Sequence, residues 1–342
     1  MVKNALLLKN FRLEPSYLVP GTMLAVLFIL PIILSTYYIH LAILILMYAV
    51  LGTAWNWIGG FAGQISLGNA VYFGIGAYTT TCTQLWWGWN PWVGLLTGTA
   101  LAAVAATLIG LPCFRLKGHY FAIATIAVGE IVNIIFTNWE KAGGAAGMYL
   151  TILKSSFWQF QFSSKVPYYY IILVFLVIAT GTTIWLKNSR SGFYFRAIKE
   201  NPDAAKALGI NLVSTKLMAL ILSALATSAA GAFWANYVLF IDPESVFSLT
   251  MSTQIALIVV MGGMGTIWGP LIGTCIIVPL SEGSRMLLGG GGAGIDSMVY
   301  GGLIMLVAVY QPGGIMGAIE QYKKKKSLKN VALAKAREGG VP

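Results

Sequence analysis

Charge is scarce in this sequence. Asp, Glu, Lys and Arg make up 10% of its 342 residues, against about 25% in an ordinary soluble domain. With 57% hydrophobic residues and a mean hydropathy of +0.76, that deficit argues against a soluble enzyme or binding module. It points instead to a chain that crosses a membrane many times. Histidine is almost absent: His40 and His119 both fall near the edges of apolar runs and cannot supply a histidine-rich metal site. The three cysteines, Cys82, Cys113 and Cys275, have no motif spacing and read as small buried hydrophobes rather than ligands or a disulfide framework. No GxxxxGK[ST] phosphate loop and no HExxH occurs, so neither ATP hydrolysis nor zinc peptidase chemistry is expected of this chain. Intramembrane acid pairs are missing as well. Glu130 is the one acid clearly inside an apolar run, with Glu282 near the end of another. A lone carboxylate argues against a proton-coupled pump.

What charge there is leans to one sign, 22 Lys and Arg against 11 Asp and Glu, and gathers in few places. The net charge of +11 comes from the ends and from the polar stretch 187-KNSRSGFYFRAIKENPDAAKALGINLVSTK-216. This is the pattern of cytoplasmic membrane flanks rather than of a nucleic-acid surface. The central stretch also contains a helix with both ends written in it. Asn201 suits the N-cap, Pro202 the first helical position, Asp203 the positive end of the dipole, and Gly209 the left-handed position past the end.

The apolar runs predict an all-α, polytopic membrane protein of about ten spans with Gly-rich broken helices. Residues 1–18 read as a cytoplasmic tail with no cleavable signal, 19–312 as one transmembrane domain, and 313–342 as a basic cytoplasmic tail. Within the domain, 139–165 is expected to be the longest external loop, 187–212 the cytoplasmic loop and 239–250 a turn-rich external link. Basic residues at the N-terminus, at 113–118, in the central loop and in the C-terminal tail then fall on one side, cytoplasmic by the positive-inside rule. Trp86, Trp87, Trp89 and Trp92 form an aromatic belt on the other. The run 251–287, broken at 262-GGMGTIWGP-270, reads as two spans or as one re-entrant element. It echoes 40–86, where an apolar span, a GG break and a small-residue span follow in the same order. Paired broken helices are a pointer to a transport path. On that reasoning Gln64, Ser66, Asn69, Tyr72, Tyr78, Ser252, Thr253 and Gln254 are candidates to line the path. Such weak polar groups can hold a zwitterion briefly without trapping it. For each of them, and for Glu130, an interhelical hydrogen bond is the alternative.

Four segments, 59-GGFAGQISLGNAVYFGIGAY-78, 114-FRLKGHYFAIATIAVGE-130, 189-SRSGFYFRAIKENPDAAKALGI-210 and 261-MGGMGTIWGPLIG-273, closely resemble the M-type branched-chain amino acid permeases of ABC transporters (the Liv system). The resemblance spans roughly 40–315. It implies a multi-pass subunit of a bacterial or archaeal inner-membrane importer for leucine, isoleucine and valine. The implied partners are a homologous H-type permease, two cytoplasmic ATPases that use ATP and Mg2+, and an external binding protein; this chain holds no cofactor itself. Asp203, Ala204, Ala205 and Gly209 match the family's EAAxxxG coupling motif, with Asp for Glu and without the Leu-Pro that ends it elsewhere. Glu200, Asn201 and Pro202 lead into it. The resemblance further implies that Ala205→Asp would leave the permease folded but uncoupled. Urea permeases are similar but typically read SLGHGVFFGLGGY where this chain has SLGNAVYFGIGAY, and here Asn69 replaces the histidine usual in both branches. Urea, amides or other amino acids are therefore the alternative substrates, and an ion-coupled secondary transporter the alternative class.

Overall fold

The computed structural model describes residues 27–31, 34–116, 118–151, 155–287, 301–302 and 314–318. The predicted N-terminal tail, most of the predicted first span, and all but 301–302 and 314–318 of the predicted last span and C-terminal tail lie outside the described residues. Within them the chain is helical, as expected. We number the helices α1 (Thr36–Asn56), α2 (Asn69–Trp87), α3 (Pro91–Cys113), α4 (His119–Thr137), α5 (Val166–Asn188), α6 (Arg190–Glu200), α7 (Pro202–Ala207), α8 (Leu212–Val238), α9 (Pro243–Val246), α10 (Leu249–Gly262) and α11 (Gly269–Leu287). Among the described residues, six stretches are long and apolar enough to cross a membrane: Thr36–Phe61, α3, α4, α5, α8 and Pro243–Gly262. The more polar α2 and the Pro279-containing α11 are of similar length, 19 residues each.

α1 is the central post. Its second half, from Met47 to Asn56, is almost wholly buried, and α5, α8, α10 and α11 pack around it. α2, α3 and α8 form the tightest group, and glycine is what permits it. A methyl on Gly76 would collide with the Ser228 carbonyl oxygen, and one on Gly231 with the Phe73 carbonyl oxygen. The α2 and α8 backbones therefore touch directly, the close approach small residues allow between membrane helices.

The two ends of the bundle differ in chemistry. One carries Trp86, Trp87, Trp89 and Trp139, exposed and in ring contact with one another. A two-stranded antiparallel ribbon also lies there, β1 (Met148–Tyr149) against β2 (Phe240–Ile241), pairing Met148 with Ile241 and Tyr149 with Phe240. The other end carries α6 and α7 with Lys187, Arg190, Arg196, Lys199 and Lys206.

The link 239–250 is partly folded into the bundle rather than a bare turn. After β2, Pro243 starts α9, and Pro243, Val246 and Phe247 are buried. Phe247 stacks on Tyr78 at 5.5 Å and 17°, because burying an aromatic ring outweighs the turn signals around it. The chain thus enters the bundle as a short turn before α10 begins. The Gly-rich stretch from Gly59 divides, as read from the sequence, into a turn and a third span, which starts at Asn69. Residues 57–61 extend α1 as a π-helical turn, and 62–68 form a loop.

Candidate functional site

The sequence places a short capped helix after Glu200, and the structure builds it. Asn201 leaves the helical region at φ −155° and ψ 102°, and its side-chain oxygen accepts from the Asp203 and Ala204 amides, each at 3.0 Å. At the other end Gly209 sits at φ +84°. The Gly209 amide donates to the Lys206 carbonyl at 3.0 Å and the Ile210 amide to the Ala205 carbonyl at 3.1 Å, the paired bonds of a Schellman stop. α7 is therefore a single stiff turn and a half, held between α6 and α8.

Its faces are unequal. Ala205 is 2% exposed and packs inward, whereas Asn201, Pro202, Asp203, Ala204, Lys206 and Ala207 are exposed and Leu208 is 82% exposed. Phe193 and Tyr194 on α6 are exposed as well. α6 is anchored by buried Phe195 and Ile198, and begins where Ser189 caps the Gly192 amide at 3.2 Å. A methyl on Gly192 would strike the Leu186 carbonyl oxygen, so only glycine admits so sharp a turn from α5 to α6.

α6 ends against the glycine breaks. A methyl at Gly63 (φ +69°) would stand 3.0 Å from the Lys199 Cγ, and one at Gly265 (φ +77°) 3.3 Å from its Nζ. Lys199 thus lies across both breaks. The breaks also hold each other. Asn56, buried at the end of α1, donates from Nδ2 to the Thr266 carbonyl at 2.8 Å and accepts at Oδ1 from the Gly265 amide, also at 2.8 Å. Sequence reasoning missed both Asn56 and Lys199. The available signal for Asn56 was an amide side chain at the end of an apolar run, immediately before a GG pair.

The candidate path residues divide. Ser66, Asn69 and Ser252 are buried together where α2 begins. The Ser252 hydroxyl accepts from the Ala70 amide at 2.9 Å, Ser66 Oγ from the Gly68 amide at 3.4 Å, and Asn69 Nδ2 donates to Ser223 Oγ at 3.3 Å. Asn69 Oδ1 has no hydrogen-bond partner. Gln64 is half-buried in the loop. Tyr72 is enclosed in the packing that includes Phe114 and Phe121, and Tyr78 lies between Phe136 and Phe247. Thr253 bonds its own helix at the Thr250 carbonyl, and Gln254 accepts from the Tyr48 hydroxyl on α1 at 3.2 Å. Glu130 stands apart, exposed on α4, where a carboxylate facing lipid would cost about 2.5–3.5 kcal/mol.

Among the described residues no group of three His, Cys, Asp or Glu could hold a metal ion. The three cysteines are unpaired thiols.

Comparison with known proteins gives this geometry a context. A family model described as "Branched-chain amino acid transport system / permease component" matches residues 37–308. The chain is 28% identical over 320 residues to the high-affinity branched-chain amino acid transport system permease protein LivM of Escherichia coli, covering 87% of this chain and 74% of that one. It is 24% identical to the probable branched-chain amino acid transport permease protein LivM of Methanocaldococcus jannaschii, covering 76% and 81% of the two chains. To LivH, a permease protein of the E. coli high-affinity branched-chain amino acid transport system, it is 25% identical, covering 81% and 93%. No solved structure matches.

Proposed function

The chain belongs to the branched-chain amino acid transport permease family, and on that premise we propose that it is a membrane subunit of an ATP-driven importer of leucine, isoleucine and valine. Its partners are a homologous second permease, two ATPase chains and an external binding protein that delivers the amino acid. ATP and Mg2+ act in the ATPases, and this chain catalyses nothing. With the regions outside the described residues, the chain makes ten spans, and the end bearing α6 and α7 faces the cytoplasm together with both termini.

One observation carries the reading. α7 is capped at both ends, offers Ala204, Lys206, Ala207 and Leu208 outward, and is continuous with α6, whose Lys199 lies on both glycine breaks. A rigid capped knob on the basic end, with Leu208 at its tip and Asp203 and Lys206 on its sides, suits a cleft in an ATPase. An ion-coupled transporter has no use for one. Closure of the ATPases would move α6–α7, and the breaks would transmit that movement to α1, α2, α10 and α11. The polar groups in the loop after α1 and at the starts of α2 and α10, Gln64, Ser66, Asn69, Ser252 and Thr253, would then meet the ammonium and carboxylate of a passing zwitterion, with Gln254, Tyr72 and Tyr78 behind them. Burial of Ser66, Asn69 and Ser252 corresponds to a closed path.

The test is reconstitution of the purified complex in vesicles and uptake of labelled leucine, isoleucine, valine, amides and urea. Uptake of the three branched-chain amino acids that requires both ATP and the binding protein is expected. Transport by this chain alone, without ATP, would overturn the proposal; preference for urea or amides would overturn its substrate.

A further inference from the structure

We propose that the outward face of α4 is the contact surface for the second, homologous permease chain, with Glu130 at the boundary between the two. This rests on the reading above and names a surface that reading leaves open.

α4 is fixed by its inner side. At one end Phe121 stacks on Phe114 at 5.1 Å and 9°. In the middle the Leu67 amide donates to Thr125 Oγ1 at 3.0 Å. At the far end Phe136 meets Tyr78 at 4.6 Å and Phe247 at 4.7 Å. At 3.6 residues per turn, Glu130 lies about 140° round the helix from Thr125 and about 180° from Phe121. It is exposed in a stripe with Ile123, Ala127, Ile131 and Ile134, and among the described residues nothing bonds to it. Eleven residues past His119 it stands about 17 Å along the helix, well inside a hydrocarbon core of about 30 Å.

A neighbouring helix shows what a lipid-facing surface of this protein looks like. The exposed side of α3 carries Leu96, Leu101, Val104 and Leu108; its threonines, Thr97, Thr99 and Thr107, each bond a carbonyl of their own helix, and no ionisable group interrupts it. α4 differs by one carboxyl group, and lipid cannot satisfy it. The occupant must therefore reach mid-membrane and bring hydrogen-bond donors, which excludes an ATPase at one end or a binding protein at the other. A membrane span with Ser, Thr, Asn or Tyr, of the kind this chain carries in α2, has both properties. The E. coli relatives include two permease proteins of one named transport system. A second permease chain is thus the occupant the chemistry selects, and Glu130 then faces the seam between the chains.

The test uses the whole complex in lipid nanodiscs, with photoreactive p-benzoylphenylalanine placed at Ile131 or Ile134 on α4 and at Val104 or Leu108 on α3. Adducts between α4 and a homologous permease, identified by peptide mass, are expected, with lipid adducts alone from α3. Lipid adducts from α4, or adducts with a second copy of this chain, would overturn the inference. Permease adducts from α3 instead would overturn it while leaving the family reading intact. If no second permease co-purifies and uptake needs no ATP, both fall. Uptake adds an independent readout: Glu130→Gln, which keeps a polar partner, should stay within about threefold of the parent, whereas Glu130→Leu should lose about tenfold or more. Equal uptake by the two variants would refute the role of the carboxyl group.

Discussion

Replacing Asn56 by Ala should unlatch the loop 262–269 without unfolding the bundle. The side chain is fully buried and makes two 2.8 Å hydrogen bonds to the loop backbone, one to the Thr266 carbonyl and one from the Gly265 amide. Each such bond contributes about 0.5–1.5 kcal/mol, and a buried group left without a partner costs about 1–3 kcal/mol. Gly265 and Thr266 are themselves half-buried, so water can compensate part of the loss, and the lower half of that range applies. The sum is about 2–4 kcal/mol of local opening free energy. At 1.4 kcal/mol per decade, amides of 262–269 should exchange hydrogen about 30- to 700-fold faster. Exchange followed by mass spectrometry on the purified complex reads this directly, with peptides from α3 as the internal control. Asn56→Asp keeps an acceptor for Gly265 but loses the donor to Thr266, so it should fall between. If the 262–269 peptides of Asn56→Ala exchange within about threefold of the parent, the two bonds do not hold the loop and the latch does not exist.

Ala205→Asp should misfold the chain rather than uncouple it, because the residue is 2% exposed and an unpaired buried carboxylate costs several kcal/mol; monodisperse expression of that variant would contradict the burial. Leu208→Asp, at a fully solvated position, should change stability by less than about 0.5 kcal/mol yet release the ATPase chains, read by whether they co-purify. Gly76→Leu should abolish folded protein, since even a methyl there meets the Ser228 carbonyl; normal yield in membranes would show that α2 and α8 do not cross so closely. Ser252→Ala removes the hydroxyl that accepts from the Ala70 amide and should destabilise the start of α2 by about 1 kcal/mol, read by exchange of the 69–73 amides.

Features set by neighbours in the chain were legible in the sequence. The caps of α7 depend on Asn201, Pro202 and Gly209 alone, and all three act as expected. The apolar runs 92–112, 167–186 and 213–238 predict α3, α5 and α8 to within about two residues at each end, the usual uncertainty of helix ends. Features set by distant partners were not. Nothing local distinguishes Ala204 from Ala205, and only the packing of α7 beneath its neighbours turns one out and the other in. Asn56 finds its partners 210 and 209 residues away. The segment 239–250 carries Asp, Pro, Glu and Ser, all turn residues, and its burial comes from Phe247 finding Tyr78 and Phe136. Glu130 was recognised as unusual because a charge in an apolar run is visible in sequence. That it points away from the bundle was not, since the direction of a side chain depends on which side of α4 is held.

The two glycine breaks gain their meaning from being adjacent. Separately, 59-GGFAG-63 and 262-GGMG-265 are ordinary interruptions of apolar helices. In the fold, a methyl on Gly265 would stand 3.0 Å from the Gly60 carbonyl oxygen, and Lys199 covers Gly63 and Gly265 alike. On the proposed coupling role, a push on α7, passed to Lys199 on α6, would arrive at one place and act on two helix pairs, α1–α2 and α10–α11. Positive φ at Gly63 and Gly265 lets each loop turn where a side chain would cost roughly 1–2 kcal/mol. It also keeps the contact free of side chains that would cushion the push. A lysine suits this position better than a shorter residue, because its stem packs on one break while its ammonium reaches the other. The short polar segment between α5 and α8 thus meets both glycine breaks by direct contact, through Lys199.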